Sequence, residues 1–268
     1  MLRRISGAAF GGAWVFPGGV LDYQDRDPRL YRRCLGLSDD RASRLLTLPR
    51  DGLAYWVAAI RETLEEAGLL IAVNGCGQAQ RASLRERKAL IEGRVRFAEI
   101  CRRGNWRLPV RRLHYVAHWI TPKAAPRRFS TRFFVTESSS GQESKADGKE
   151  VLRARWFEPD QALKQEIPLA HPTRHFLRIL REKGSIGQVM NWAASMDGRS
   201  VPVTRPEVRR INGTLMSCLP SGEVLGPFNM QHYPVVPRNS PVGGARDFPA
   251  TASDEPAAKG AGSPQEVG

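Results

Sequence analysis

The most regular pattern of hydrophobic and polar positions in the chain runs from Leu53 to Gly68. At about 100° per residue, an α-helix places the apolar side chains of this segment on one face and its glutamates on the other. The apolar set is Leu53, Val57, Ile60 and Leu64, and the acidic set is Glu62, Glu65 and Glu66. Gly68 stands where a left-handed glycine commonly ends a helix. The pattern therefore predicts an amphipathic helix with an acidic outer face.

Other segments predict a mixture of helices and strands. An apolar spacing of three to four residues, with basic residues between, predicts one basic amphipathic helix over residues 81–101. Runs of β-branched and aromatic residues predict strands at Tyr115–Ile120, Thr131–Thr136 and Val151–Phe157. Two more helices are expected, one from Pro172 to Gly184 and one over residues 186–194. This mixture indicates an α/β or α+β fold.

The composition of the 268-residue chain changes near residue 220. Residues 220–268 are rich in proline and glycine and contain few large apolar side chains beyond Val236. Such a segment cannot bury enough apolar surface to offset the entropy of ordering it. We therefore expect one folded domain over residues 1–219 and a disordered tail over residues 220–268.

The net charge of +14 is concentrated in one part of the chain. Between Arg81 and Arg132 there are fifteen lysines and arginines and only three acidic residues. Clustered positive charge attracts phosphate groups, so a nucleic-acid-binding module is one hypothesis. A small molecule that carries several phosphates is the other ligand that suits this charge.

Several classes of protein are disfavoured by simple patterns. No run of about 18 apolar residues is present, so no membrane-spanning helix is expected. The first residues lack the apolar stretch of a secretory signal. The chain has four widely separated cysteines, Cys34, Cys76, Cys101 and Cys218. They form no C-x-x-C pair, which disfavours a zinc knuckle or a redox motif. We expect four reduced thiols in a cytoplasmic protein.

The acidic face of the predicted helix suggests metal chemistry. Three carboxylates at i, i+3 and i+4 repel one another unless a cation lies among them. Arg61 can serve one carboxylate, and a hard divalent ion such as Mg²⁺ can serve the others because it prefers carboxylate oxygens and retains waters for a phosphate substrate. Taken alone, however, an acidic helix face is also what a merely solvated helix presents.

A glycine-rich element upstream, Phe16–Gly19, makes the metal hypothesis more specific. Together with the helix it resembles the signature of the Nudix hydrolase superfamily, G-x5-E-x7-R-E-U-x-E-E-x-G-U, where U is aliphatic. The segment Arg61–Leu69 matches the second half of this signature, with Thr63 at an aliphatic place. Gly19 matches the opening glycine, and Asp25 stands where the family has glutamate.

The spacing inside the signature is similar to that of one particular subgroup. Thirty-five residues, 26–60, separate Asp25 from Arg61, where the general signature has seven. An insertion over residues 26–53 resembles that of the subgroup related to the peroxisomal acyl-coenzyme A diphosphatase of animals. Two downstream segments, 118–122 and 126–134, resemble the core strands of the same subgroup, with Ser130 in place of an expected Asp. The resemblance implies a Nudix-type α/β/α sandwich with a mixed sheet.

The resemblance also implies roles for individual residues. Glu62, Glu65 and Glu66 are expected to bind Mg²⁺ or Mn²⁺, and Arg61 is expected to fix one of these carboxylates. Gly18 and Gly19 would shape the loop beside the helix. Asp25 is either an outer partner of this site or a surface residue. The nominal general base is Glu62, with Glu137 as the alternative.

The substrate implied by the resemblance is coenzyme A or an acyl-coenzyme A, cleaved to 3′,5′-ADP and a 4′-phosphopantetheine product. Arg127, Arg128 and Arg132 are the candidate substrate-binding cations, the alternative being a solvated basic loop. An arginine motif of other coenzyme A-cleaving Nudix groups is matched here only by Arg3 and Gly12, so NADH or ADP-ribose remains an alternative substrate. A catalytically inactive Nudix fold and the nucleic-acid-binding module are the other hypotheses.

One departure from the superfamily concerns the start of the sheet. Nudix proteins have core strands before the signature, whereas only Leu2–Ile5 precede the first glycines here. We therefore expect an N-terminal strand that is shortened or missing, unless translation begins upstream. An exposed sheet edge at this place would favour low solubility or homo-oligomers.

Overall fold

The computed structural model describes residues 1–139, 141–199 and 201–234. Within these residues the chain forms eight α-helices and nine strands. The helices are α1 (Pro28–Tyr31), α2 (Asp39–Leu45), α3 (Leu53–Glu62), α4 (Leu84–Ile91), α5 (Phe97–Arg103), α6 (Pro159–Lys164), α7 (His171–Lys183) and α8 (Ile186–Ser195). The strands are β1 (Leu2–Arg4), β2 (Trp14–Val15), β3 (His114–Ile120), β4 (Ser130–Val135), β5 (Val151–Ala154), β6 (Val203–Thr204), β7 (Glu207–Ile211), β8 (Thr214–Cys218) and β9 (Val224–Pro227). The expected mixture of helices and strands is confirmed.

A mixed sheet with the strand order β4-β3-β6 lies between two helices. Strand β4 is antiparallel to β3, and β6 is parallel to it. Successive side chains of a strand point to opposite faces. Phe134 accordingly contacts Trp56 of α3, with ring centroids 4.8 Å apart, and Phe133 stacks on Phe176 of α7 at 4.7 Å. These contacts form the α/β/α layering that was expected.

The expectation that the N-terminal strand leaves an exposed sheet edge is wrong. Leu2–Arg4 forms β1, which lies between β2 and β5 and pairs antiparallel with both. Leu2 is buried and packs with Leu69 and Val151. The strand is short, but it pairs on both sides, while the expected low solubility or homo-oligomer stays a prediction.

The insertion inside the signature adds two short helices to the core. Helix α1 begins with Pro28 after the cap Asp27, and α2 is capped by Ser38. Leu30, Ala42 and Leu46 lie in the main core cluster together with the apolar face of α3. The insertion is therefore part of the domain rather than a loop outside it.

The long basic helix expected over residues 81–101 is two helices, α4 and α5, with a break between them. Gly93 adopts a left-handed φ of 69° after α4, and the extended Arg96 precedes the first residue of α5. Glycine adopts this conformation without steric penalty, which allows the chain to turn here. The strand expected over Val151–Phe157 ends at Ala154. Helices α7 and α8 lie where they were expected, and Gly184 ends α7 in a left-handed conformation.

The expected domain boundary at residue 219 is too early. Residues 224–227 form β9, which pairs antiparallel with β8 in a third sheet of order β7-β8-β9. Phe228 and Tyr233 stack on each other, with ring centroids 5.6 Å apart, and are buried with Ala125. The composition of the segment concealed these local contacts. Residues 235–268, the remainder of the predicted tail, lie outside the described residues.

The cysteines and the helix lengths agree with the simple expectations. All four cysteines are unpaired, with Cys101 and Cys218 buried. The cytoplasmic location inferred from them stays a prediction. Among residues 1–139, 141–199 and 201–234, every helix is too short or too polar to cross a bilayer.

Candidate functional site

The acidic helix continues beyond α3 in an unusual form. Residues Thr63–Ala67 form a π-helical turn, and Gly68 ends it with a left-handed φ of 75°. A π turn widens the helix locally and often occurs at functional sites. It carries two of the three candidate glutamates, Glu65 and Glu66, whereas Glu62 is the last residue of α3.

The carbonyl end of this helix is held by Arg87 of α4. The guanidinium donates to the carbonyl oxygens of Glu65 at 2.8 and 3.1 Å, of Glu66 at 3.1 Å and of Lys145 at 2.7 Å. The last carbonyls of a helix lack partners within the helix, so this clamp satisfies them. Arg87 thus fixes the segment that carries Glu65 and Glu66. In the sequence Arg87 is one of many basic residues between Arg81 and Arg132, and nothing there indicated this role.

Arg61 is the centre of the site. Its Nε and Nη2 donate to the two oxygens of Asp25 at 2.7 and 2.8 Å. Its Nη1 donates to Glu62 at 2.8 Å and to Glu65 at 3.0 Å. The side chain is 4% exposed. One buried guanidinium therefore brings three carboxylates together, in agreement with its expected positioning role.

Asp25 is an outer partner of the site and not a surface residue. It is completely buried, and besides Arg61 it accepts a hydrogen bond from the backbone N–H of Asp22 at 2.7 Å. This second bond belongs to the capping box of the 3₁₀ turn Tyr23–Arg26. The turn positions Asp25, and Asp25 positions Arg61.

The glycine pair lies directly against the glutamates. The backbone N–H of Gly18 donates to Glu66 Oε2 at 2.8 Å. A Cβ on Gly19 would lie 2.5 Å from the carboxylate of Glu62, so any larger residue would displace that carboxylate. Glu66 is also bound by Arg4 of β1, whose Nη1 donates to Oε1 at 2.7 Å. The N-terminal strand, which was expected to be shortened or missing, thus supplies a partner of the site, and no motif in the sequence indicated Arg4.

Burial raises the pKa values of the three glutamates. It raises the pKa of Glu62 to about 8, although the charge of Arg61 opposes the shift. It raises the pKa of Glu66 to about 7, opposed by Arg4 and the Gly18 N–H, and it raises the pKa of Glu65 as well. For Arg61, burial lowers the pKa, but the hydrogen bond to Asp25 and the neighbouring glutamates raise it overall. Burial thus disfavours the charged form of each glutamate more than the neighbouring arginines favour it.

The donor chemistry fits a hard divalent cation. Four carboxylates, Asp25, Glu62, Glu65 and Glu66, meet two guanidinium groups, those of Arg4 and Arg61. In the described part of the chain, no three acidic, histidine or cysteine side chains already converge as a ready metal cage. Mg²⁺ does not require one, since it is usually held by one or two carboxylates together with water and substrate phosphates.

The structure separates the three candidate substrate-binding arginines. Arg127 lies over the ring of Phe129 at 5.1 Å, and the exposed Arg128 donates to the carbonyl of Thr121 at 3.3 Å. Both belong to the loop between β3 and β4. Arg132 of β4 lies over the ring of Tyr55 at 4.4 Å, and Tyr55 is on α3. Of these three arginines, Arg132 is the one that contacts the helix leading to the glutamates.

The remaining candidates have weaker support. Glu137 is exposed beyond the end of β4, and no hydrogen bond among the described residues joins it to the carboxylates. The basic run from Arg81 to Arg132 is not one free surface, since several of its arginines are already engaged. Arg94 pairs with Glu92, and Arg102 and Arg103 both pair with Glu99. The nucleic-acid hypothesis stays a prediction.

Comparison with known proteins identifies the family. The family described as the NUDT19 Nudix domain matches residues 25–178, from Asp25 through the glutamates to α7. The acyl-coenzyme A diphosphatase NUDT19 of Homo sapiens is 27% identical over 220 residues, which cover 66% of this chain and 58% of that protein. The same protein of Gallus gallus is 27% identical over 254 residues, covering 76% of this chain and 67% of the relative. The chain therefore spans less than two thirds of the human relative.

A solved structure gives the same result for the fold. The crystal structure of a NUDIX hydrolase from Alicyclobacillus acidocaldarius aligns with a TM-score of 0.59 and 25% identity. The alignment covers 71% of this chain and 86% of that one. With the matched signature, the layered fold and a family match over more than half of the residues, the chain belongs to the NUDT19 Nudix domain family.

Proposed function

We propose that this protein is a metal-dependent hydrolase that cleaves the diphosphate linkage of coenzyme A or an acyl-coenzyme A. The products would be 3′,5′-ADP and 4′-phosphopantetheine or its acyl derivative. The observation that carries the proposal is the buried Arg61, which holds Glu62 and Glu65 beside Glu66 and the glycine loop. The names of the NUDT19 relatives support the substrate class.

The glutamates would hold the cation that Nudix hydrolases generally require, for which we propose Mg²⁺ or Mn²⁺. When bound, such an ion neutralises phosphate charge and lowers the pKa of a bound water. Arg61 keeps Glu62 and Glu65 in place, and Arg4 with the Gly18 N–H keeps Glu66 in place. Gly19 carries no Cβ, so the loop can pass directly against the carboxylate of Glu62 without displacing it.

Hydrolysis also requires a group that takes a proton from the attacking water. Glu62 is the nominal base, because Arg61 holds its carboxylate directly against the glycine loop. The water oxygen forms a bond to phosphorus, the bond from phosphorus to the bridging oxygen breaks, and the proton of the water passes to Glu62. The second phosphate leaves with the electron pair of the broken bond.

Product analysis with a panel of substrates tests this proposal. Purified protein is incubated with Mg²⁺ or Mn²⁺ and with coenzyme A, acyl-coenzyme A esters, NADH or ADP-ribose, and the products are identified by mass spectrometry. We expect 3′,5′-ADP from the coenzyme A compounds, with little turnover of NADH or ADP-ribose. If NADH or ADP-ribose is cleaved preferentially, that compound replaces coenzyme A as the proposed substrate, and the proposed reaction class stands.

A pair of variants tests the site itself. Glu66→Gln keeps the size of the side chain but removes its charge, so we expect a loss of turnover of at least about a hundredfold. It should also abolish the stabilisation by Mn²⁺ seen in thermal unfolding. Glu99→Gln is the matched control, because Glu99 pairs with Arg102 and Arg103 on α5. Equal turnover by the wild type and Glu66→Gln would refute the assignment.

A further inference from the structure

Helix α3 has a single partly exposed stripe along its length. Of its ten residues, the three that are not buried are Tyr55, Ala59 and Glu62. Their spacing of four and three residues places them on one face of the helix. The stripe therefore runs from Tyr55 to the first of the candidate metal-binding glutamates, with a small side chain between them.

Arg132 lies at the far end of this stripe without a negatively charged partner. Its guanidinium carbon is 4.4 Å from the centre of the Tyr55 ring. Its Nε is buried and donates to no acceptor, and within the described residues no ion pair joins Arg132 to a carboxylate. A buried donor without a partner is costly and rare, and a ligand is one means of satisfying it.

His118 is the neighbour of Arg132 on the adjacent strand. The two residues face each other in the pairing of β3 with β4, which places their side chains on the same face of the sheet. His118 Nε2 lies 2.7 Å from the hydroxyl of Ser130. Burial, assisted by the charges of Arg132 and Arg205, lowers the pKa of His118 to about 4. The surroundings of His118 are thus positively charged, and its ring stays neutral and able to hydrogen-bond.

We propose that Arg132, assisted by His118, forms a subsite for a phosphate monoester of the substrate, distinct from the diphosphate that is cleaved. The proposal rests on the function proposed above and adds where a second phosphate group of the substrate binds. Arg132 would bind this phosphate with its guanidinium, while Tyr55 supports the guanidinium from the other side. The 3′-phosphate on the ribose of coenzyme A is the group that would occupy this subsite.

The spacing along the helix supports this assignment. Tyr55 and Glu62 are seven residues apart, a rise of about 10 Å along an α-helix. In coenzyme A the 3′-phosphate is separated from the diphosphate by one ribose. This separation and the length of the Arg132 side chain together span a distance comparable to that rise. Ala59, which lies between them, is small and partly exposed. NADH and ADP-ribose carry no phosphate at this position, so the subsite would also explain a preference for coenzyme A.

A comparison of two substrates tests the proposal. Turnover of coenzyme A and of 3′-dephospho-coenzyme A is measured with the wild type, Arg132→Gln, Arg132→Lys and Arg153→Gln. Arg153 is an exposed arginine of β5 on a different sheet and serves as the control. We expect the wild type to prefer coenzyme A by about tenfold or more in kcat/KM, the value of a charge-assisted hydrogen bond. Arg132→Gln should abolish the preference by slowing coenzyme A alone, and Arg132→Lys should restore part of it.

Two results of this comparison would refute the subsite. If Arg132→Gln slows both substrates by the same factor, Arg132 has only a structural role and the subsite is refuted. A wild type that turns over both substrates equally well would also refute it. The preference of Arg153→Gln should equal that of the wild type, and a loss there would show that the effect is a nonspecific result of reduced positive charge.

A binding measurement separates this proposal from the proposed function. The affinities for 3′,5′-ADP and 5′-AMP are compared by calorimetry, which requires no turnover. The wild type should bind 3′,5′-ADP about tenfold or more tightly, and Arg132→Gln should bind the two equally. If the protein shows this difference in binding but hydrolyses no coenzyme A, the proposed function is refuted and the subsite stands. Equal binding of both nucleotides by the wild type would refute the subsite whatever the turnover.

Discussion

Asp25 and Arg61 are separated by 36 positions in the chain, and in the fold they form a two-pronged ion pair with distances of 2.7 and 2.8 Å. Neither side chain is more than 4% exposed. The pair joins the two halves of the Nudix signature across the inserted segment. It also determines where Glu62 and Glu65 lie, because both bind the remaining nitrogen of Arg61.

Replacing Asp25 with asparagine should strongly destabilise the protein. The change leaves the buried guanidinium of Arg61 without its main counterion, and breaking a buried ion pair costs about 3–5 kcal/mol. Asp27→Asn is the control, since Asp27 pairs with the exposed Arg29 and asparagine can still cap α1. It should cost less than about 1 kcal/mol. Urea unfolding measures both, and similar losses for the two variants would contradict a structural role for Asp25.

The alanine variant at Gly19 should affect turnover more than stability. Its Cβ would push the carboxylate of Glu62 aside, which a flexible side chain permits at small cost to folding. Displacing a reacting group by about 1 Å can reduce turnover by about a hundredfold. We therefore expect a large fall in kcat/KM with a change in unfolding free energy below about 1 kcal/mol.

The control for Gly19→Ala is Gly75→Ala, where a Cβ would contact nothing within 4 Å. This variant should retain the turnover of the wild type. If Gly19→Ala retains it as well, the close approach of Gly19 to Glu62 has no part in catalysis.

Arg87 offers a test of how the end of the acidic helix is held. Arg87→Met removes the guanidinium that donates to the carbonyls of Glu65, Glu66 and Lys145, of which the hydrogen bond to Glu66 is buried and the other two are partly buried. We expect a loss of about 2–4 kcal/mol in unfolding free energy, because unsatisfied buried groups cost about 1–3 kcal/mol each and part of the site can relax. Arg85→Met, on the exposed face of α4, should lie within about 0.5 kcal/mol of the wild type. Equal stability of the two variants would show that the clamp contributes nothing.

The pH dependence of stability should contain a contribution from His171 at the start of α7. Burial lowers its pKa to about 4, assisted by the charges of His232 and Arg174. Between pH 6.5 and 4 the unfolded chain binds a proton that the folded protein does not, so this histidine makes folding less favourable as the pH falls. Above pH 6.5 its contribution is constant.

The variant His171→Gln should remove this dependence. Relative to the wild type, its unfolding free energy should rise as the pH is lowered from 6.5 to 4, by at most about 1.4 kcal/mol per pH unit. Chemical unfolding at pH 4.5, 5.5, 6.5 and 7.5 gives the difference directly. A difference between the two proteins that is the same at all four values would contradict the buried, neutral state of His171.

The elements that could be predicted from the sequence are those whose signal is local. The acidic helix, strands β3 and β4 and helices α7 and α8 follow from apolar periodicity and from capping glycines such as Gly68 and Gly184. The Nudix signature and its insertion could be read in the same way, because their residue types and spacing are intact. The single helix predicted over residues 81–101 was wrong because Gly93 turns the chain between α4 and α5.

What the sequence alone determined was the kind of chemistry and the segment that carries it: three glutamates and an arginine on one helix after a glycine pair. The tertiary structure alone decided which groups meet them. Arg4 comes from β1 at the start of the chain to bind Glu66, Asp25 turns inward to bind Arg61, and Arg132 lies over Tyr55. Contacts between residues far apart in the chain depend on how the elements pack. Local periodicity and propensity carry no information about such packing.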